Sequence, residues 1–270
     1  MARAGVYPAV KKDGSVYYRS SITHGGKHIS LGSYPSELKA NRAYKRAHII
    51  LSSKKRAGLV DSASIISSYY TNRALAFDKY ISLINLRDND LYIKNPIYVF
   101  KRYILYFYSP DCIFTFDIDD LFYYSSHKIM MRGGHVFTSD YGMQVNIKQR
   151  YGIGAFAVMG RDYEHINGDS FDFRYDNIKI INRYNGVKLI KQGPKDRYRA
   201  SILINGSYSI GTYESEIEAA IAYNKAADVI SAAYPTRRFR LNYIDSISAK
   251  EYADIYTRIK ISKKIKAAII

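Results

Sequence analysis

The clearest pattern of hydrophobic and polar positions in this chain occurs twice. Residues 5–51 and 186–230 align with small gaps, and each has short alternating runs separated by glycine turns, followed by a run with helical periodicity. The matching stretches include Tyr18-Arg19-Ser20-Ser21-Ile22 with Tyr198-Arg199-Ala200-Ser201-Ile202, and Leu31-Gly32-Ser33-Tyr34 with Ile210-Gly211-Thr212-Tyr213. The pattern therefore predicts an internal repeat in which each copy forms three strands and one helix.

The predicted helix of each copy has a start signal and one apolar face. Ser36 and Ser215 are candidate N-caps, and Glu218 follows Ser215 at the spacing of a capping box. The apolar face combines small and aliphatic residues with one tyrosine in each copy: Ala40, Ala43, Tyr44, Ala47, Ile50 and Leu51, and then Ala219, Ala222, Tyr223, Ala226, Val229 and Ile230. We expect this face to pack on one side of the three-stranded sheet, which leaves the other side exposed.

By alternation, the exposed side of each sheet carries mostly polar side chains. In the first copy they are Tyr7, Lys11, Arg19, Ser21, Thr23, His28 and Ser30, and in the second copy they are Lys188, Arg199, Ser201, Ser207 and Ser209. A small sheet of this kind fits the major groove of B-form DNA, where polar side chains reach bases or phosphates.

The remaining segments complete a mixed α+β chain of several small modules. The predicted modules are the repeat copies at 1–58 and 186–245, a helical spacer at 59–112, a strand-rich module at 113–185 and a basic C-terminal helix at 246–270. We find no candidate catalytic residues in the spacer. Turns in the strand-rich module are predicted at Gly133-Gly134 and Tyr141-Gly142.

The positive charge of the chain is concentrated in its two ends. The formal net charge is +17; residues 1–60 hold 12 basic and 2 acidic side chains, residues 186–270 hold 15 and 8, and the segment between them is neutral. Positive charge concentrated on compact modules favours a polyanion as the binding partner. The alternative is that the excess of basic residues serves only solubility. A membrane surface is disfavoured, because no basic stretch forms an amphipathic stripe with aromatic anchors.

The cysteine content and hydropathy indicate where the protein works. The single cysteine, Cys112, rules out a disulfide framework and a zinc site of several cysteines. The chain start shows no apolar signal region, and the most apolar stretch, 97–116, is interrupted by charged residues. We therefore expect a protein of the reducing cytoplasm that associates with DNA and not with membranes.

The repeat unit resembles the DNA-binding domain of plant ethylene-response factors, the Apetala-two domain. The shared pattern is a Gly-Val start, an aromatic-x-small-x-Ile strand, a Leu-Gly-x-Tyr strand and an alanine-rich helix with Ala-Tyr, and it covers about 90 residues in two blocks. The resemblance implies binding of double-stranded DNA through the exposed sheet face. The family's arginine after Gly-Val is Tyr7 in one copy and Lys188 in the other, and its base-reading arginines are largely serines and threonines here. Phosphate contact is therefore expected more firmly than base specificity.

Within 113–185 the chain resembles the HNH nuclease motif of phage and mobile-element homing endonucleases. The resemblance rests on Tyr163-Glu164-His165-Ile166-Asn167-Gly168-Asp169, followed by Asp172-Phe173-Arg174-Tyr175-Asp176-Asn177-Ile178. It implies that His165 is the general base, that Glu164 holds a divalent cation (Mg or Mn) and that Asn177 orients the histidine ring. The cation would be required only if the site is active.

Two departures from the family pattern bear on cleavage. The acid before the histidine is Glu164 where the family usually has aspartate, and residues 178–185 run directly into the second repeat copy, which leaves no length for the helix that carries the last metal ligand. Asn182 or Asn185 is left to supply that ligand. Magnesium tolerates little deviation from ideal geometry, so we expect metal-dependent nicking or cleavage to be reduced or lost.

The sequence thus favours a double-stranded DNA-binding protein of the HNH homing-endonuclease type and leaves open whether it is an enzyme. The alternative is a catalytically dead descendant that acts as a phage-encoded regulator or host-interaction factor through DNA or protein contacts. An RNA-binding protein is a weaker third class, because no single-strand stacking motif accompanies the 28 tyrosines.

Overall fold

The structure is a computed structural model that describes residues 3–55, 60–192, 195–262 and 265. It confirms the predicted α+β class: helices alternate with small antiparallel sheets. The chain divides into two compact units. The first comprises the residues up to Asn146 together with Asp169–Asn177, and the second comprises Ile147–Gly168 and the chain from Ile178 onward.

The first repeat copy forms a three-stranded antiparallel sheet followed by a helix. Its elements are β1 (Val6–Val10), β2 (Val16–His24), β3 (Lys27–Tyr34) and α1 (Glu37–Ser52). The β2–β3 hairpin turns at Gly25-Gly26, where both glycines have positive φ, a conformation that favours glycine. Consecutive strands pair in both the β1–β2 and the β2–β3 hairpins, so the sheet order is β1-β2-β3.

The second copy, in the other unit, repeats this arrangement. Its elements are β12 (Val187–Gln192), β13 (Lys195–Leu203), β14 (Ser207–Tyr213) and α6 (Glu216–Ala233). Even an irregularity is shared: the register shifts between Ser20 and Ser21 in the first copy and between Ala200 and Ser201 in the second. The extra residue lies on the third strand, so each sheet has a β-bulge at the same place.

The helices pack as the apolar pattern predicted, but one cap differs. Ala40, Ala43 and Ala47 are fully buried in α1, as are Ala219, Ala222 and Ala226 in α6. Ser36 and Ser215 cap the two helices, accepting from the N–H groups of Lys39 and Ile217. The expected capping box at Ser215 does not form, because the Glu218 carboxylate pairs with Arg258 at 2.7 Å instead.

The segment predicted as a helical spacer is only half helical. It contains α2 (Ser62–Tyr70) and α3 (Phe77–Asn89) and then a three-stranded sheet of β4 (Ile97–Val99), β5 (Tyr103–Ser109) and β6 (Cys112–Asp117). Residues 104–107 are all buried, so β5 is apolar on both faces and its sequence lacks the alternation that identifies a strand. The predicted boundary at 112/113 falls inside this sheet, because β6 begins at Cys112 and pairs with β5.

The chain after β6 continues inside the first unit as far as Asn146. After a 3₁₀ turn at Ile118–Asp120 come α4 (Leu121–Ser126), β7 (Ile129–Arg132), β8 (His135–Asp140) and β9 (Met143–Asn146). The β7–β8 and β8–β9 turns fall at Gly133-Gly134 and Tyr141-Gly142, all with positive φ, as expected. Residues Asp169–Asn177 belong to this unit as well, and Phe173 N–H donates to the carbonyl of Thr115 on β6.

Besides the second repeat copy, the second unit contains a short hairpin and two helices. Its remaining elements are α5 (Ile147–Arg150), β10 (Tyr163–His165), β11 (Ile178–Ile180) and α7 (Ala249–Arg258). The predicted basic C-terminal helix is thus shorter than 246–270: Ile259, its C-cap, is extended and packs into the core with Ile265. Of the lysines predicted near its end, Lys263, Lys264 and Lys266 lie outside the described residues.

Each repeat helix has its own core. In the first unit Ala43, Ala47 and Ile50 join residues of α2, α3 and β5, such as Ile65, Ile81 and Phe107. In the second unit α6 packs against Ile259, Tyr252 and other residues of the C-terminal segment. In the described part of the chain, no helix is both long enough and apolar enough to cross a bilayer.

Candidate nucleic-acid interface

The exposed face of the first sheet is organised in cross-strand rows. Tyr7 lies opposite Arg19, which lies opposite Ser33 on the third strand. All three are exposed, and Tyr7 keeps 55% of its surface. Arg19 lies 5.6 Å from the ring of Tyr17 and donates to its hydroxyl at 2.9 Å. The guanidinium is therefore held near the sheet by a cation–π contact and a hydrogen bond.

Beyond the bulge, the same face continues with shorter side chains. Thr23 pairs with His28 and Ser21 pairs with Ser30. Three of these four are exposed, but Ser21 is only 7% exposed, and its N–H donates to the carbonyl of Gly5. The prediction of Ser21 as a DNA contact is therefore wrong for its side chain in this conformation. Lys11 lies in the β1–β2 turn and not on the face, since β1 ends at Val10.

The second sheet presents the equivalent rows with more positive charge. Lys188 lies opposite Arg199, which lies opposite Thr212. Ser201 pairs with Ser209, and Leu203 pairs with Ser207. Ser201 is half-buried, and the other predicted contacts, Lys188, Arg199, Ser207 and Ser209, are exposed.

Lys188 and Arg199 form a like-charge pair at directly opposite positions on neighbouring strands. Such pairs destabilise a sheet unless an anion neutralises them. Neither cation has an ion pair in the described part of the chain, whereas Arg197 on the same strand is paired with Glu214 at 3.5 Å. The second sheet therefore carries an uncompensated positive site on its solvent face.

A groove lies beside each exposed face, at the contact between the first strand and the helix. Gly5 and Gly186, both with positive φ, approach Tyr44 and Tyr223 so closely that a Cβ on either glycine would overlap the tyrosine ring. The groove of the first copy has a volume of about 440 Å³ and that of the second about 300 Å³. This contact explains the Gly-Val and Ala-Tyr markers of the repeat.

The residues that line the two grooves are different. The first includes three histidines, His24, His28 and His48. The second includes Phe156 and Arg161 from the segment between α5 and β10. No sequence pattern indicates these two residues, because they lie outside the repeat.

Asp162 fixes this additional segment beside the second groove. Its buried carboxylate accepts from Arg161, from the N–H of Val158 and from Asn182, all within 3.1 Å. Burial alone raises the pKa of Asp162, but these donors outweigh it and hold the pKa below its ordinary value. The carboxylate is thus ionised and structural at neutral pH.

The HNH-like sequence forms a short antiparallel hairpin. Glu164 on β10 lies opposite Lys179 on β11, and their side chains form an ion pair at 3.5 Å. His165 lies opposite Ile178, is 8% exposed and packs edge-on against Tyr163 at 5.7 Å. Glu164 is therefore more exposed than His165.

The predicted partners of this histidine have structural hydrogen bonds. Asn177, in the first unit, is buried and donates to the carbonyl of Asp172 at 2.9 Å. Asn182 donates to Asp162 and the carbonyl of Arg161, while its side-chain oxygen accepts from Leu189 N–H at 2.8 Å. Both ends of the Asn182 amide are thus engaged, and we correct its assignment as a metal ligand.

Asn185 likewise belongs to the second repeat copy. Its side-chain nitrogen donates to the Tyr223 hydroxyl at 2.9 Å and to the carbonyl of Arg240 at 3.2 Å. Its backbone exchanges two hydrogen bonds with the side chain of Asn242. Through these hydrogen bonds, Asn185 links the start of β12 to α6 and to the segment that follows α6.

These side chains do not fit a divalent-cation centre. Over the described ranges, no group of three or more His, Cys, Asp or Glu side chains is arranged to hold a metal ion. Residues 181–186 are all described, and none of them is helical. A carboxylate paired with lysine and an amide oxygen bound to a backbone N–H are poor substitutes for free oxygen ligands.

Comparison with known proteins adds no further constraint: no family model, curated protein or solved structure matches the chain.

Proposed function

We propose that the protein binds double-stranded DNA through the solvent faces of its two repeat sheets. The observation that carries this proposal is the unpaired like-charge pair Lys188–Arg199 at the centre of the second face. Two cations held side by side on a rigid sheet cost stability in the free protein, and the phosphates of a duplex offset that cost. Arg19 occupies the position equivalent to Arg199 on the first face.

The concentration of charge in the two repeat segments supports the same partner. Residues 1–60 and 186–270 account for the entire net charge of +17. Duplex DNA binds such surfaces largely through counterion release, which makes affinity strongly salt-dependent. The serines and threonine beside the arginines contact phosphate or base edges but read little sequence by themselves.

The test is the salt dependence of binding to a labelled duplex, measured by fluorescence anisotropy on the full chain. Removing three cations in R19A/K188A/R199A should lower the slope of log affinity against log salt by about 2.7, at about 0.9 per phosphate contact. The control K39A/K45A/K250A removes the same charge from exposed positions on helices. An equal fall in the control, or a wild type that does not bind at low salt, would refute the proposal.

We infer that the HNH-like hairpin descends from a nuclease site but does not cleave DNA efficiently. The ion pair Glu164–Lys179 and the engaged amide of Asn182 support this, because both remove oxygen ligands from a cation. The second candidate function is a catalytically dead descendant that acts as a regulator or host-interaction factor through DNA or protein contacts, since this role needs no bound cation. We therefore propose DNA binding as the activity and derive no metal-dependent step.

Plasmid nicking in Mg or Mn tests this inference. Wild type and H165A should give the same background of nicked plasmid, and both should still retard a duplex on a gel. Robust metal-dependent nicking that disappears in H165A would show instead that the hairpin is an active nuclease site.

A further inference from the structure

The first unit contains a cleft of about 700 Å³ that none of the repeat or HNH-like residues explains. Its walls come from the first turn of α3, the segment before β4, the strand β5 and the β7–β8 hairpin. Pockets for small molecules in proteins typically measure about 300 to about 1,000 Å³. The cleft is therefore large enough for an organic ligand.

The floor of the cleft is aromatic and apolar. Phe107 and Phe137 are buried, and Phe77 packs edge-on against Phe107 at a centroid distance of 6.0 Å. Tyr108 is 40% exposed, and Met130 also lines the cleft. Phe107 has no exposed surface and supports the floor from beneath, whereas Phe77 and Tyr108 offer a planar aromatic ligand contacts that an inorganic ion does not gain.

The rim of the cleft is cationic. Its charged lining residues are Lys79, Lys94, Lys128 and Arg132, against the single carboxylate of Asp78. No ion pair is found for any of these four cations in the described part of the chain. By contrast, Arg87 and Arg174, in the same unit, each have a carboxylate partner within 2.7 Å.

The aromatic floor and the cationic rim together match one ligand chemistry. A phosphate needs the rim but not the floor, and an uncharged aromatic molecule needs the floor but not the rim. We propose that this cleft binds a nucleotide, with the base against Phe77 and Tyr108 and the phosphate among Lys94, Lys128 and Arg132. The ligand is either a free nucleotide or a nucleotide of a single strand, since both present the same groups.

The carboxylate of Asp78 is compatible with this assignment. It lies in the first turn of α3 beside Lys79, and both residues line the cleft. Carboxylates accept hydrogen bonds from ribose hydroxyls in other nucleotide sites. The proposal does not depend on duplex binding by the repeat sheets, because none of the predicted sheet contacts lines the cleft.

The test is titration of the full chain with AMP, adenosine, inorganic phosphate and a short single-stranded oligonucleotide, followed by calorimetry. AMP should bind at least tenfold more tightly than either adenosine or phosphate. K128A/R132A should lower AMP affinity at least tenfold and leave duplex binding within twofold of wild type. Y108A should lower AMP affinity by about tenfold and leave the weak binding of phosphate unchanged.

The matched control K39A/K45A removes two exposed lysines from α1 in the same unit. It should bind AMP as wild type does. If it loses as much affinity as K128A/R132A, the effect is one of general charge and the proposal is wrong. The proposal is also wrong if AMP binds no better than phosphate or adenosine, or if neither AMP nor the oligonucleotide binds.

The comparison of the two positive probes identifies the source of the ligand. Similar affinity for AMP and the oligonucleotide supports a free nucleotide. Affinity for the oligonucleotide that exceeds AMP by tenfold or more, and that K128A/R132A abolishes, supports a single strand.

Discussion

The two repeat copies have the same internal design and different surroundings. Each has three strands, a bulge at the same position and a glycine–tyrosine contact between first strand and helix. In the first copy α1 packs on α2, α3 and β5, and the groove beside its exposed face is lined by histidines. In the second copy α6 packs on the C-terminal segment, and the groove is lined by Phe156 and Arg161.

The shared features are those needed to fold the repeat module, and the differing features adapt each copy to its own surroundings. The bulge and the glycine–tyrosine contact are common to both copies, so they belong to the module itself. The central arginine of the row is common to both copies, but its neighbour on the first strand differs: Tyr7 lies opposite Arg19, and Lys188 lies opposite Arg199. The second face therefore carries more positive charge in this row, and the first carries an exposed aromatic side chain there.

The largest expected effect tests the shared contact. Gly5→Ala and Gly186→Ala should each destabilise their own unit by about 3 to 5 kcal/mol, because a Cβ would overlap a tyrosine ring at a positive φ. Gly14→Ala is the control: it has positive φ but no atom within 4 Å of the new Cβ, and should cost about 1 kcal/mol. Urea denaturation of the full chain measures all three. Equal costs for Gly5→Ala and Gly14→Ala would mean that the close approach is not required.

The next largest effect compares the burial of the helix tyrosine in the two copies. Tyr223 is 5% exposed and its hydroxyl accepts from Asn185, whereas Tyr44 is half-buried. Tyr223→Ala should therefore destabilise by about 3 to 5 kcal/mol and Tyr44→Ala by about 2 to 3 kcal/mol. The measurement is the free energy of unfolding in urea. A larger loss for Tyr44→Ala would show that the second helix is the less tightly packed of the two.

A smaller effect tests the like-charge pair. Arg199→Ala should weaken duplex binding by about five- to tenfold, yet leave the free protein equally or slightly more stable, because it relieves repulsion with Lys188. Arg19→Ala should weaken binding similarly but cost about 0.5 kcal/mol of stability, through loss of the Tyr17 contact. Anisotropy and thermal unfolding give the two quantities. Arg199→Ala that unfolds the protein would contradict the role assigned to this pair.

The smallest effect concerns acid stability and only the second copy. Because the pKa of Asp162 is lowered in the folded state, its contribution to stability is complete above its ordinary value of 3.8 and is lost as the pH falls through the lowered pKa. Asp162→Asn should therefore cost about 1 kcal/mol at neutral pH and flatten the loss of stability below the ordinary carboxyl pKa. Unfolding curves at several pH values check this, with Asp245→Asn, an exposed carboxylate of the same unit, as control. An unchanged pH profile in Asp162→Asn would refute the assignment.

Most exposed residues of the candidate interface could be predicted from the sequence. Arg19, Thr23, His28, Ser30, Lys188 and Arg199 lie exposed as alternation predicted. Ser21 is buried although alternation predicted it to be exposed, and its N–H donates to the carbonyl of Gly5. A strand pattern specifies the face of a side chain, and it carries no information about a distant segment that packs on that face.

The HNH-like region shows the same limit more strongly. That no helix precedes Gly186 was expected from the few residues between Ile178 and Asn185. The ion pair of Glu164 and the bonds of Asn182 were not, because each depends on which neighbour a polar group finds after folding. The strands of the supposed helical spacer were missed for a related reason: burial on both faces removes the polar alternation from their sequence.

The amino-acid sequence by itself determined the repeat, its turns, its helix caps at Ser36 and Ser215 and the charge of the two ends. These features depend on local backbone preference and periodicity, which neighbouring residues specify. Only the tertiary structure decided what covers each module, which cations find a carboxylate and where a cleft with an aromatic floor and a cationic rim forms. Those outcomes depend on contacts between segments far apart in the chain, and such contacts leave no periodic trace in either segment.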